Sequence, residues 1–496
     1  MISLSGLTPS WKFPIAAREV NFGRGRRSIG AGQIKVTVTG TKLSTGSATA
    51  DGDPIRVFTE EEADAYFGAG SEIALQCYAA LAIPGVVLWA CPVAEAGGAV
   101  AGSLTITIAG TWTTTGTLTL RLGGKFYSVT VTPASTPTTV AADMVLKING
   151  NSRGFCTAAN VAGVITATTK SKGVRMNQWI CAKDLTQAPA GLTATIAGGT
   201  ALTGTKVPFA SGAGADDVTN VLAKLTSDTY DYQAWAQNDA TNAGLIRTQL
   251  NSEASALTMH QEHSIMTLTR GTSASMTFAS ATLNNQRMTL AHFTNSESHP
   301  SEISAQLAAV RSTTVGANPN ARYNGVQLPT IAPQFDVVDR ASIQVADALL
   351  NSGVLPLMTT FDGRVVIGRA IQSHCLNGSS PDFRTLDWGH ADVPDRVSKE
   401  LGADWEDFAE KNAYLSDEPA NDAEAPPAGT AFPSLWNSVI IARLKICERN
   451  NWVQDVDANP PLTEFQTDRL MSAIPCIVRL QNHIVGIQVN QTAAAS

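Results

Sequence analysis

Apolar and polar positions along this chain follow two rhythms, and the places where the rhythm changes divide it. Residues 34–97 read as strand, helix, helix, strand. In "FTEEEADAYFG", Thr59 and Glu62 have the spacing of a capping box. Glu60 to Glu62 suit a helix N-terminus. Gly68 and Gly70 stop that helix, and Ser71 caps the next. Ile73 to Ala94 carries no charge and is long enough to span a bilayer. Pro84-Gly85 cuts it, which predicts a helix, a turn and the buried strand "VVLWACPV".

Residues 98–206 change to a period of two. "GSLTITIAGTWTTTGTLTLRLGGKFYSVTVTP" is rich in Thr and Gly and turns every few residues, as antiparallel β-structure does. A small helix is expected at 137–149, then further strands such as "GVITATT". From 210 to 315 helical and strand patterns alternate. "DDVTNVLAKLT", "AGLIRTQLNSEASAL", "ASMTFASATLNN" and "PSEISAQLAAVRS" read as helices; "YDYQAWAQ", "HSIMTLT" and "RMTLAHF" read as strands. Repeated β-α units imply a largely parallel sheet with helices on both faces.

"DVVDRASIQVADALLNSG" reads as one helix. A hairpin follows, with Asp362-Gly363 as a type I′ turn signal. The remainder predicts helices near 391–413 and 433–450, an acidic Pro-rich loop "SDEPANDAEAPPAGTAFP", and a last pair of strands. These are "IPCIVRL" and "HIVGIQV", joined at Gln481-Asn482. In the second, Val485, Ile487 and Val489 alternate with Gly486, Gln488 and Asn490.

The fold class is therefore α/β. The segments are an N-terminal arm and hinge (1–33), the first part of an α/β core (34–97), an inserted β-rich protruding domain (98–206), the second part of the core (207–335), a C-terminal α+β domain (336–480) and a C-terminal arm (481–496). The first arm, "WKFPIAAREVNF", contains a Pro and short apolar runs. The joint after it, "GRGRRSIGAG", has four glycines, Gly23, Gly25, Gly30 and Gly32 lying in or beside it. Its arginines either pin the joint to an acidic neighbour or are solvated.

Composition narrows the function. The 496 residues are 44% hydrophobic and 16% charged, with a net charge of −7, so nothing points to nucleic acid as the general partner. The cysteines at 77, 91, 156, 181, 375, 447 and 476 show no CxxC or metal-ligand spacing, and suit a reducing compartment. The first thirty residues lack the order of a secretory signal.

Candidate chemistry is thin. His260-Gln-Glu-His263 places two histidines at i, i+3, not the HExxH order of a zinc helix. "RGTSASM" resembles the serine segment of subtilisin-like proteases, but the matching Asp and His motifs are absent. Ser273 is expected to cap a helix. There is no Walker A loop and no dinucleotide fingerprint. No cofactor, no metal and no enzymatic activity are expected. The alternatives are a surface adhesin or glycan-binding protein using the Thr-rich insertion, and a serine hydrolase using Ser273.

A set of patterns in order carries a family resemblance: "LTPSWKFPIAAREVNF"; the segment "GTKLSTGSATADGDPIRVFTEEEADAYFGAGSEIALQCYAAL" with Phe67, Gly68, Gly70 and Ser71; "YDYQAWAQND"; "GRVVIGRAIQSH"; and the final strand. Together they resemble the contractile tail sheath proteins of Mu-like phages. Phe13-Pro14 stands where that family usually has Pro-Gly, and the last strand carries Gly486. The resemblance implies a subtilisin-like core without protease activity. It also implies a homo-oligomer of stacked hexameric rings around an inner tail tube, contracting to drive the tube through a bacterial envelope. Baseplate and tail-terminator proteins are the further implied partners, with no nucleic acid and no membrane insertion of the sheath. The implied location is the virion tail or an equivalent particle, assembled in the bacterial host cytoplasm.

Within that resemblance, the arms add strands to neighbouring copies. Trp11, Phe13, Ile15, Val20 and Phe22 link at one end, and Ile484, Val485, Ile487 and Val489 at the other. Gly23, Gly25, Gly30, Gly32, Gln481 and Asn482 serve as hinges. An ordinary hairpin within the chain is the competing reading of the last strand. On "LWNSVIIARLKICERN", Arg443, Lys445 and Arg449 either face an acidic tube or form a solvated helix face.

Overall fold

The computed structural model describes residues 33–419, 427–481 and 483. Trp11, Phe13, Ile15, Val20, Phe22, Gly23, Gly25, Gly30, Gly32, Asn482, Ile484, Val485, Ile487 and Val489 lie outside them. Two compact units divide the described chain. One runs to Pro319 and resumes over Tyr323–Ala391; the other joins Asn320–Arg322 to the residues from Asp392 onward.

In the first unit the chain makes β1 (Lys35–Thr41), β2 (Ile55–Val57), α1 (Glu60–Phe67), α2 (Glu72–Leu81) and β3 (Val87–Val93). The uncharged stretch is therefore helix, turn and strand, with Gly85 at φ 86 in the turn. No helix among the described residues is long and apolar enough to cross a membrane. Thr59 accepts from the Glu62 N–H and Ser71 from the Ala74 N–H, as expected. The Glu62 carboxylate, however, accepts from Phe58 and not from Thr59.

Next come β4 (Ala101–Ala109), β5 (Gly116–Leu122), β6 (Lys125–Val131), α3 (Pro137–Asn149), β7 (Cys156–Val161), β8 (Val164–Lys172), β9 (Ile180–Asp184), β10 (Thr193–Ala197) and β11 (Lys206–Pro208). They form two four-stranded sheets, β10-β4-β8-β7 and β11-β9-β5-β6. All pairings are antiparallel. Leu104, Ile106, Leu118, Leu120, Val129 and Ile165 fill their core with Val140 and Met144 of α3. The Thr-rich strands work because alternate positions carry these apolar side chains inward.

The chain then returns to the first sheet through α4 (Thr219–Leu225), β12 (Tyr232–Trp235), α5 (Ala240–Glu253), β13 (His263–Leu268), α6 (Thr272–Thr277), a π-helical turn (Phe278–Leu283), β14 (Met288–His292), α7 (Pro300–Ala317), α8 (Ile343–Asn351), β15 (Val354–Thr359) and β16 (Val365–Ile367). The eight-stranded order is β16-β15-β14-β13-β12-β1-β3-β2. Neighbours from β15 to β3 run parallel, and the edges β16 and β2 are antiparallel. Helices cover both faces. Leu250 of α5, Leu283 and Leu349 of α8 pack with Cys91, Trp235 and Leu290 on one side; α2 and α7 lie against each other and the sheet on the other.

Four further expectations are corrected in this unit. The helix over 336–353 is a 3-10 turn (Val337–Asp339) followed by α8, because Ser342 caps α8 through the Val345 N–H and starts it afresh. The hairpin at Asp362-Gly363 is not type I′: only Gly363 has positive φ (80), and Gly363 N–H bonds Thr360 O across a three-residue loop. Strands β15 and β16 extend the parallel sheet, although a boundary at 335 separates them from it. Ser273 lies inside α6; the residue at the cap is Gly271, at φ 69.

The second unit contains α9 (Gly389–Lys411) and α10 (Pro433–Arg449), close to expectation, and a hairpin Leu462–Gln466 with Arg469–Ala473 that the pattern did not announce. Val397, Leu401, Ile440, Leu444 and Trp452 form its core. Trp436 packs edge-on to Trp405 at 5.0 Å. "IPCIVRL" is not a ladder strand; Val478 makes a single antiparallel bridge to Val453.

Candidate functional site

Chain order along the parallel sheet reverses between β1 and β12, which are adjacent in space. In open α/β sheets the crevice beside the carboxyl ends of such strands is the usual ligand site. Here it is filled by the chain itself. The 3-10 turn Val174–Gln178 of the insertion lies across these strand ends.

Arg175 is the centre of this seat. Its Nε donates to Glu72 Oε1 at 3.0 Å and its Nη2 to Glu72 Oε2 at 2.8 Å. The same Nη2 donates to Asp216 Oδ2 at 2.6 Å. Glu72 opens α2, and its Oε2 also accepts from the N–H of Thr41 at the end of β1, at 3.0 Å. All three charged side chains are buried. Burial opposes ionisation of Glu72, but the Arg175 guanidinium outweighs it and holds the carboxyl below its ordinary range. Burial also acts on Asp216 and holds it above that range, with Arg175 pulling the other way. A bidentate guanidinium–carboxylate pair is the geometry in which a buried charge is tolerated.

The seat extends to the next strands. Gln178 and Asn238, just past β12, exchange amide hydrogen bonds at 3.3 Å. Arg270, just past β13, donates to Asn177 O at 2.7 Å, and burial pushes its guanidinium down to about 10. His299, before α7, meets Arg175 O at 3.2 Å through Nε2 and stacks on Trp179 at 4.7 Å. Trp179 in turn stacks on Phe155 at 3.7 Å. Burial pushes His299 down to about 4, so it is neutral at pH 7.

A second charge cluster lies past β14. Arg121 of β5 donates from Nε and Nη2 to Glu297 at 3.1 and 2.9 Å. Lys206 of β11 is fully buried and donates to Asp339 Oδ2 at 2.6 Å. Burial holds Glu297 above its ordinary range, with Arg121 opposing. The insertion is thus fastened to the sheet by three cations it supplies itself. Sequence reasoning missed every one of these residues. The available signal was charge in apolar surroundings: Glu72 is the only charge in "EIALQCYAAL".

The sequence-predicted candidates are scattered. Arg443 is drawn to Asp404 of α9, at 2.6 and 2.5 Å, and to Glu400 at 3.4 Å; hydrogen bonds to Asp404 raise its guanidinium above the ordinary value. Lys445 pairs with Glu448 and Asp457 at 3.0 and 2.5 Å. Arg449 is exposed, with no ion-pair partner among the described residues. Gln481 donates from Nε2 toward Asn320 O, Asn320 Oδ1 and Ala321 O at 3.0–3.1 Å.

Ser273 is exposed, and the nearby histidine serves another residue. His292 Nδ1 meets Ser275 Oγ at 2.8 Å, and its Nε2 faces Thr294 and Thr272 at 3.1 and 3.4 Å. Burial pushes His292 down to about 4. Hydroxyls occupy the positions where a triad needs a carboxylate on this ring. His260 pairs with Glu253 at 3.1 Å, and no metal-holding cluster occurs among the described residues.

No family model matches the chain. A curated relative, the Mu-like prophage FluMu tail sheath protein of Haemophilus influenzae, is 28% identical over 326 residues, 64% of each chain. The chain thus spans a little under two thirds of the length of the curated relative it matches. The resemblance to Mu-like tail sheath proteins is borne out by this relative. Solved structures also align: the sheath tail protein of Desulfitobacterium hafniense (12% identity, 90% of this chain and 92% of that one, TM-score 0.46); a sheath tail protein of Listeria innocua (10%, 89% and 95%, 0.45); and a chain of the anti-feeding prophage baseplate in its contracted state (10%, 99% and 99%, 0.46).

Proposed function

We propose that this chain is the sheath subunit of a contractile phage tail or a related injection particle. The observation that carries this reading is its similarity, over 326 residues, to a Mu-like tail sheath protein. Copies stack as hexameric rings around an inner tail tube, between baseplate and terminator, and shorten to drive the tube through a bacterial envelope. Assembly takes place in the host cytoplasm. The core is subtilisin-like in fold and performs no chemistry. The filled crevice supports that: the place where an α/β sheet usually takes a ligand holds Arg175.

Strand exchange links the copies. Trp11, Phe13, Ile15, Val20 and Phe22 reach one neighbour, and Ile484, Val485, Ile487 and Val489 another. Leu462–Gln466 and Arg469–Ala473 form an isolated two-stranded ladder. Two strands are marginal alone, so both outer edges are suited to accept added strands. Hinges at Gly23, Gly25, Gly30, Gly32, Gln481 and Asn482 absorb the backbone change on contraction. The insertion protrudes outward, and the unit from Asp392 faces the tube. There Arg449 is better placed to meet an acidic partner than Arg443 or Lys445, which are already paired.

Negative-stain microscopy of the purified protein tests the reading. Rings or tubes are expected, and only short or no polymers after deletion of residues 483–496. Dispersed single chains under all assembly conditions would overturn it.

A further inference from the structure

The insertion ends in edge strands that are treated differently. On β7, the backbone of Ala158 points away from the sheet, and Asn149 covers it. Asn149 Nδ2 donates to Ala158 O, and its Oδ1 accepts from Ala158 N–H, both at 2.8 Å. On β10, Lys183 Nζ donates to Ala194 O at 2.5 Å. Side chains thus occupy these edges, which is one way sheets avoid unwanted pairing.

α3 packs against β6 as well, but among the described residues no side chain hydrogen-bonds to the outward backbone of this strand. Gly123 and Gly124, at φ 59 and 76, make a two-residue turn between β5 and β6. In such a hairpin the flanking pair Leu122 and Lys125 exchanges both hydrogen bonds. The pairs Leu120–Tyr127 and Leu118–Val129 then do likewise. Phe126, Ser128 and Thr130 are left with N–H and C=O directed outward. No hydrogen bond reaches those backbone groups from any described residue. The three side chains are exposed, Phe126 by 56%. The Phe126 ring meets Phe335 edge-on at 5.3 Å between centroids.

We propose that β6 is a self-pairing edge: β6 of one copy joins β6 of a second copy, antiparallel, about a two-fold axis at Ser128. The strand's own sequence suits a second copy as the occupant. From Phe126 to Val131 there is no charge, so the pairing opposes no like charges. Phe126 falls opposite Thr130 of the second copy and Ser128 opposite itself. The two four-stranded sheets become one of eight. A two-fold contact closes on itself and does not propagate a polar helical array. The pairing therefore joins copies that are not neighbours in one sheath, and it stands or falls independently of the sheath reading.

Disulfide trapping tests it in the full-length protein. Ser128→Cys places two thiols on the axis, where paired residues sit at about 5.5 Å between Cα atoms, within disulfide reach. Of the native cysteines all but the half-buried Cys476 are buried, so the parent chain is the blank. Thr157→Cys on the covered strand β7 is the control for random collision. Dioxygen with copper phenanthroline oxidises two thiols to one disulfide, and dithiothreitol reverses it. The expected result is a reducible band at twice the monomer mass for S128C, several-fold stronger than for T157C. Adding Thr130→Pro removes an outward N–H while sparing the inner ladder, and reduces the band to the T157C level. Equal bands for S128C and T157C, or a band indifferent to T130P, would overturn the proposal.

Discussion

The Arg175 guanidinium meets both carboxylate oxygens of Glu72, at 3.0 and 2.8 Å, across 103 positions of sequence. One residue belongs to the insertion and the other to the first helix of the parallel core. Their pairing makes insertion and sheet a single folding problem, since neither charge is satisfied until both parts are in place.

Removing one member should therefore be severe. R175A leaves Glu72 and Asp216 buried without their cation, and should lower stability by about 3–5 kcal/mol. R175M with E72Q retains shape and removes one charge of each sign, so it should recover part of that loss. Urea unfolding of the two variants under non-assembling conditions checks the order.

Acid should loosen the same seat. His299 is held neutral by burial, its value pushed to about 4 from an ordinary value of about 6.5. The unfolded chain then binds more protons between these values, so stability rises with pH across that window. The contribution is fully present above about 6.5 and is lost as pH falls through about 4. His292 acts in the same sense. H299N keeps an N-cap for α7 and should flatten, but not abolish, the fall in Tm between pH 7 and pH 4.5.

The basic face of α10 makes two separable predictions. R443A strands Asp404, while Glu400 keeps Arg396, and should lower the Tm of the unit. R449E should leave the unfolding free energy within about 0.5 kcal/mol of the parent, as exposed sites do, yet weaken co-assembly with the inner tube. Sedimentation of sheath with purified tubes reads the second effect; a normal yield for R449E removes this residue from the contact.

Gln481 is tied to the Asn320–Ala321 backbone by one side-chain amide. Q481A should cost about 1 kcal/mol locally. Trypsin cleavage after Arg479, whose N–H bonds Trp452 O at 3.0 Å, should accelerate without change in global Tm.

Local structure was legible where periodicity and caps agreed. Pro137–Asn149 was read to the residue because Thr136 and Pro137 open it and Gly150 closes it. The β-α alternation from 210 to 315 gave the parallel sheet. Legibility failed where a side chain changed a local outcome, as Ser342 did in starting α8 anew. The hairpin at 462–473 was missed because its turn uses Thr467 at φ 46 in place of a glycine. The seat was invisible for a different reason: Arg121, Arg175 and Lys206 find carboxylates 41 to 176 positions away by fold alone.

Those three cations set the terms on which the molecule tolerates engineering. Thr113–Thr115, between β4 and β5, are exposed and lie just before β5, at the opposite end of that strand from Arg121. A foreign peptide spliced there would ride on the outside without touching the anchorage. Cutting the insertion away at its base would instead strip Glu72, Asp216, Glu297 and Asp339 of the cations that neutralise them. The scaffold can be decorated at that tip, but it cannot be pruned at the root.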